Sequence, residues 1–97
     1  MKVLALEREV PGTDPGAFGP WLALEAQALW ELQMAGIVRE AYFDAEAHTA
    51  VLVLEAPDGA EAQRHLASLP LVRQGLITFE VCTLVPYDGT ARLFAQS

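Results

Sequence analysis

The sequence is short of several things, and each shortage removes a class of function. Six Lys and Arg among 97 residues are too few and too scattered to form the basic stripe that nucleic-acid phosphates require. Thirteen Asp and Glu bring the net charge to −7, which also disfavours an anionic membrane surface and favours solubility. The lone Cys82 permits no internal disulfide, and its place in an apolar run reads as a buried thiol. No stretch of about 18 apolar residues occurs, so no membrane span is expected. The opening MKVLALEREVPG is interrupted by Glu7, Arg8 and Glu9 too early for a signal peptide, and the expected compartment is the cytoplasm. There is no GxGxxG, no phosphate loop and no serine elbow. His48, His65 and Cys82 lack metal-ligand spacing, so neither a metal site nor a cofactor is expected.

What is present is a hydrophobic share of 53% beside 20% charge, which suits one folded domain over residues 1–97. Residues 2–10 read as a strand. A breaker-rich loop with Pro11, Gly12, Pro15, Gly16, Gly19 and Pro20 follows. Strong helix formers fill residues 21–35, with Pro20 suited to the first turn and Gly36 to the position past the end. Residues 37–43 and 49–55 are strands around a turn at 44–48. Asp58, with Glu61 three residues on, opens a second helix over 59–68 like a capping box, and Pro70 reads as a stop. Residues 76–85 form the fourth strand and 86–97 a tail.

The order βαββαβ folds as a four-stranded antiparallel sheet with two helices on one face, an α+β, ferredoxin-like plan. Alternation then exposes a difficulty. Ile77, Phe79, Val81 and Val85 point to one side of the fourth strand, and Leu76, Cys82 and Leu84 to the other. The third strand likewise sets Val51 and Val53 against Ala50, Leu52 and Leu54. Two helices cover only one face, and each large apolar side chain left in water forfeits roughly 1.5–3 kcal/mol. A homodimer, sheet packed on sheet with the helices outside, is therefore expected, and it can assemble further.

Leu69-Pro70-Leu71, Phe79-Glu80-Val81, the closing Pro86-Tyr87 and the helix end from Trp30 to Glu40 give the chain a resemblance to the dimeric α+β barrel superfamily, in its muconolactone isomerase-like branch. The likeness spans nearly the whole chain. It implies a pocket between sheet and helices, taking a small apolar or weakly polar metabolite. The superfamily includes cofactor-free isomerases, monooxygenases, haem proteins and domains without known activity, so the resemblance speaks first to fold.

Glu25 falls inside the apolar stripe of the first helix, with Leu22, Leu29, Leu32 and Trp21. A carboxylate there snorkels outward, finds a partner, or lines a cavity as a proton shuttle with a raised pKa. The isomerase group has a Glu at the matching spacing, eleven residues before the helix-ending Gly36, which implies a catalytic role. Arg39, also matched in that group, either balances an anionic ligand or pairs with Glu25 or Glu40 at the sheet edge. Trp21, Tyr42, His65 and Phe79 are the candidate substrate-binding residues, although aromatics so placed are more often core or interface and His65 reads first as packing. Leu93 and Phe94 in the tail need an anchor on their own subunit or a partner. Two functions remain open: a cofactor-independent isomerase, or a non-catalytic dimeric module for ligand binding or interaction.

Overall fold

A computed structural model describes residues 1–95; Gln96 and Ser97, the end of the expected tail, lie outside the described residues. The elements follow the order expected from the sequence. They are β1 (Lys2–Glu9), α1 (Leu22–Met34), β2 (Val38–Phe43), β3 (Ala50–Glu55), α2 (Gly59–Leu66), α3 (Pro70–Arg73) and β4 (Ile77–Leu84). The sheet runs β2-β3-β1-β4 with every neighbouring pair antiparallel. Among the described residues no helix is long and apolar enough to cross a membrane.

Three local outcomes differ from expectation. The loop before α1 is not irregular: its prolines start two 3-10 turns, Pro15–Ala17 and Gly19–Trp21, and the Gly16 N–H donates to Asp14 Oδ1 at 3.0 Å. Pro70 does not end the helical region but begins α3, because its missing N–H and fixed φ suit the first position of a helix. Asp58 caps α2, accepting from Glu61 N–H at 2.8 Å, but Glu61 pairs with Arg64 one turn on instead of closing the box. Gly36 ends α1 with φ +76°, a left-handed value that an L side chain rarely adopts.

The two sheet faces are covered very differently. Beneath the helices Val3, Ala5, Leu52, Leu54, Ile77 and Phe79 are buried together with Ala62, Leu66, Leu69 and Leu71. On the other face Leu4, Leu6, Val51 and Val53 are only half-buried, and Tyr42, Cys82 and Leu84 are exposed. The register explains Cys82: it stands opposite Leu4, on the side that the helices leave bare. The expectation of a buried thiol is thus corrected for the subunit, in which Cys82 is exposed.

A register shift between Val38 and Glu40 makes Arg39 the extra residue of a bulge on β2. It returns Ala41 and Phe43 to the helix side, opposite Leu52 and Ala50, and puts Glu40 and Tyr42 on the bare side, opposite Val53 and Val51.

α1 and α2 also contrast. α2 buries Ala62 and Leu66 along a polar-backed stripe. α1 buries no residue fully: Glu25, Ala28, Leu29 and Leu32 face inward half-covered, whereas Leu22, Leu24, Trp30 and Met34 are exposed. A helix that is apolar nearly all round usually has neighbours on more than one side.

Candidate functional site

Glu25 lies on the first turn of α1, pointing into the seam between that helix, α3 and the sheet. Its Oε1 accepts the Leu71 N–H at 2.9 Å. Leu69 at the start of α3 supplies no side-chain acceptor, so Glu25 satisfies one of that helix's free amides from across the seam. Burial raises the Glu25 pKa above the ordinary carboxylate value; the Leu71 amide opposes the rise, and the charge of Glu7 adds to it.

Glu7, not singled out from the sequence, is the second member of this neighbourhood. It stands opposite Phe79 on β4, hence on the helix side of the sheet, and its Oε1 accepts from Ala50 N–H at 3.2 Å. Its pKa is likewise raised, first by burial and then by Glu9, against the Ala50 amide and His48, which lower it. The alternation Val3, Ala5, Glu7 was the available signal: it continues the buried stripe of β1. Both carboxyls are half-buried, and the charge of Glu7 further disfavours ionisation of Glu25, so the two retain protons to higher pH than solvated ones do.

The remaining candidates divide by location. Phe79 is buried beside Glu7, and Trp21 precedes Glu25 by one helical turn, so both belong to this end of the seam. Trp21 also borders a groove of about 530 Å³ between α1 and α3, with Leu24, Ala28, Glu31, Pro70 and Arg73. Arg39 does not join them. Its Nε donates to the Gly36 carbonyl at the far end of α1, about 16 Å from Glu25 at 1.5 Å per helical residue.

Tyr42 projects from the bare face, where its hydroxyl donates to Glu40 Oε1 at 2.7 Å and its pKa is raised by that bond. It borders a smaller hollow of about 140 Å³ with Leu29, Phe43 and Leu52. His65 is half-buried on α2. His48 closes the β2–β3 turn with φ +55° and stacks on Phe43, ring centroids 4.1 Å apart. Glu25 borders neither hollow.

No protein-family model matches the sequence, and no curated protein does. Solved structures do match. One is a muconolactone isomerase, 22% identical, with a TM-score of 0.73 over 91% of this chain and 92% of that one. Another is 5-chloro-2-hydroxyhydroquinone dehydrochlorinase of Burkholderia phenoliruptrix AC1100, in complex with 2,5-dihydroxybenzoquinone. It is 17% identical, with a TM-score of 0.70 over 88% of this chain and 94% of that one. The chain therefore has the α+β fold of these two enzymes, the muconolactone isomerase-like plan that its Leu69-Pro70-Leu71 and Phe79-Glu80-Val81 segments led us to expect.

Proposed function

We propose that this chain is a homodimer, joined through the bare sheet face, and a cofactor-independent enzyme of isomerase type that shifts a proton on a small lactone or other carbonyl compound. Glu25 carries the proton. The single observation behind this reading is a carboxyl set in an apolar seam, fixed by one amide and made more basic by burial and by Glu7. A base poised nearer neutrality than a solvated carboxylate removes a proton beside a carbonyl more readily and gives it back elsewhere. Phe79 and Trp21 supply apolar wall. Arg39 serves the α1–β2 turn instead, since it lies at the opposite end of the helix.

The fold shared with an isomerase and a dehydrochlorinase supports chemistry on small cyclic oxygenated compounds. Muconolactone and 2,5-dihydroxybenzoquinone are accordingly the first probes. Glu25→Gln keeps an oxygen acceptor for Leu71 N–H while removing the titrating group. The proposal expects turnover of a lactone probe, followed by absorbance or by deuterium uptake, to fall at least about a hundredfold in this variant. Unchanged turnover would remove Glu25 from the chemistry.

A second reading draws on the same hydrogen bond. If capping α3 is all that Glu25 does, the chain is a binding module. Probes then raise its melting temperature without being turned over.

A further inference from the structure

Glu7 enters the reading above only through its charge, yet it is placed much as Glu25 is. Both carboxyls are half-buried, and they reach the seam from opposite walls. Glu25 comes from α1; Glu7 comes from β1, where it continues the stripe of Val3 and Ala5 and stands opposite Phe79. Each commits one oxygen to a backbone amide, Glu25 Oε1 to Leu71 and Glu7 Oε1 to Ala50. Among the described residues no donor meets either Oε2, and no side-chain oxygen is both buried and unpartnered. Each carboxyl therefore keeps one oxygen open to water or to a ligand.

The space beside the pair has the size of one ring. The hollow of about 140 Å³ is bordered by Leu29, one turn after Glu25 on α1, and by Ala50, whose N–H holds Glu7. Ala41, Phe43 and Leu52 add apolar wall. An apolar cavity of roughly 150 Å³ accepts a benzene ring.

We propose that Glu7 is a second catalytic residue of this seam, acting with Glu25 on one small ring, so that one carboxyl removes the substrate's proton and the other supplies its replacement. The inference rests on the isomerase reading above and deepens it: there a single carboxyl does both. Ionised Glu7 takes the proton from the carbon beside the carbonyl. The electron pair of that C–H bond moves into the conjugated system and the double bond migrates. The distant carbon then forms its new C–H bond with the proton of Glu25, which is left ionised. Exchange with water moves the proton from Glu7 back to Glu25. The reverse reaction exchanges the two duties, with Glu25 as the base.

The surroundings set which carboxyl starts with the proton. Two groups favour the charge of Glu7, the Ala50 amide and His48, against burial and Glu9. Only the Leu71 amide favours the charge of Glu25, against burial and Glu7 itself. Of the other charged groups on the packed elements, Glu80 of β4 lies on the bare face with Arg8, and Arg73 of α3 borders the outer groove with Glu31. Glu7 thus ionises first and Glu25 keeps the proton, which gives one base and one acid from two like groups.

Turnover of muconolactone in deuterium oxide by the full chain and by Glu7→Gln, Glu7→Asp and Glu25→Gln tests the proposal. Gln at position 7 keeps an oxygen for the Ala50 N–H, and circular dichroism checks that each variant folds. The expected result for Glu7→Gln is a kcat at least about a hundredfold lower with KM within about threefold. Glu7→Asp, whose carboxyl is withdrawn by one methylene, recovers part of the loss, and it carries the same test if the Gln variant does not fold. The product of the parent chain takes its new hydrogen from solvent in the first turnover. Its kcat/KM falls on both sides of an optimum, with the acid limb absent from Glu7→Gln. An unchanged kcat in Glu7→Gln beside an inactive Glu25→Gln overturns the inference and leaves the single-carboxyl isomerase standing. Product that retains the substrate's own proton at the new position does the same. A parent chain that does not turn the probe over removes the isomerase reading and the inference together.

Discussion

The two faces of this sheet are both rich in apolar side chains, yet only one is closed. On the helix side, burial is complete at Val3, Leu52, Leu54 and Ile77, and the carboxylates that enter, Glu7 and Glu25, are each held by a backbone amide. On the other side, Leu4, Leu6, Val51 and Val53 make a central patch ringed by Tyr42 with Glu40 and by Arg8 with Glu80, the latter pair at 3.0 Å. That is the pattern of an interface, an apolar centre with a polar rim. The helix face holds the subunit together; the bare face, on our reading, holds two subunits together.

The sharpest way to break the comparison is to truncate equivalent residues on the two faces of β3. Leu54→Ala is expected to cost about 2–5 kcal/mol of subunit stability in chemical denaturation, because it opens a cavity in a closed core. Val53→Ala, one residue along but on the bare side, is expected to leave a monomeric subunit nearly as stable while weakening association. Equal losses at both positions in the monomer would erase the distinction.

A smaller effect separates the two duties of Glu25. Glu25→Ala strands the Leu71 N–H and is expected to cost about 1–2 kcal/mol; Glu25→Gln, which keeps the acceptor, is expected to recover most of it. Matching melting temperatures for the two variants would mean that the amide finds water instead.

The smallest effect is on pH dependence. The folded-state pKa values of Glu7 and Glu25 are raised, so the folded chain binds protons more tightly than the unfolded one. Their contribution to stability is fully present below the ordinary carboxylate pKa and is lost as pH rises from there through the raised values. Glu7→Gln and Glu25→Gln should each flatten that decline in melting temperature. A steeper decline in either variant would contradict the assigned sign.

The sequence conveyed the fold through period-two alternation and through breakers, which is why all four strands lie within a residue or two of their expected limits. It conveyed the site less well, for identifiable reasons. The bulge at Arg39 reverses the sides of the residues after it, so Tyr42 left the pocket side for the bare face; nothing in the residue types marks a bulge there. Pro70 fits both the end of one helix and the start of another, and only packing against α1 decides between them. Glu7 counted only as an interruption of the opening apolar stretch, although its position in β1 continued the buried stripe. Cys82 read as a buried thiol from its apolar neighbours, whereas alternation had set it on the side opposite Ile77 and Phe79; the helices cover those two, and its exposure follows from that side.

The closing of the second face by another copy of the chain carries the most weight, and sedimentation velocity over a range from nanomolar to micromolar protein addresses it directly. The account predicts a species of twice the chain mass at micromolar concentration, shifted towards the single chain by Val53→Asp without loss of secondary structure. A folded single subunit persisting across the whole range would contradict it.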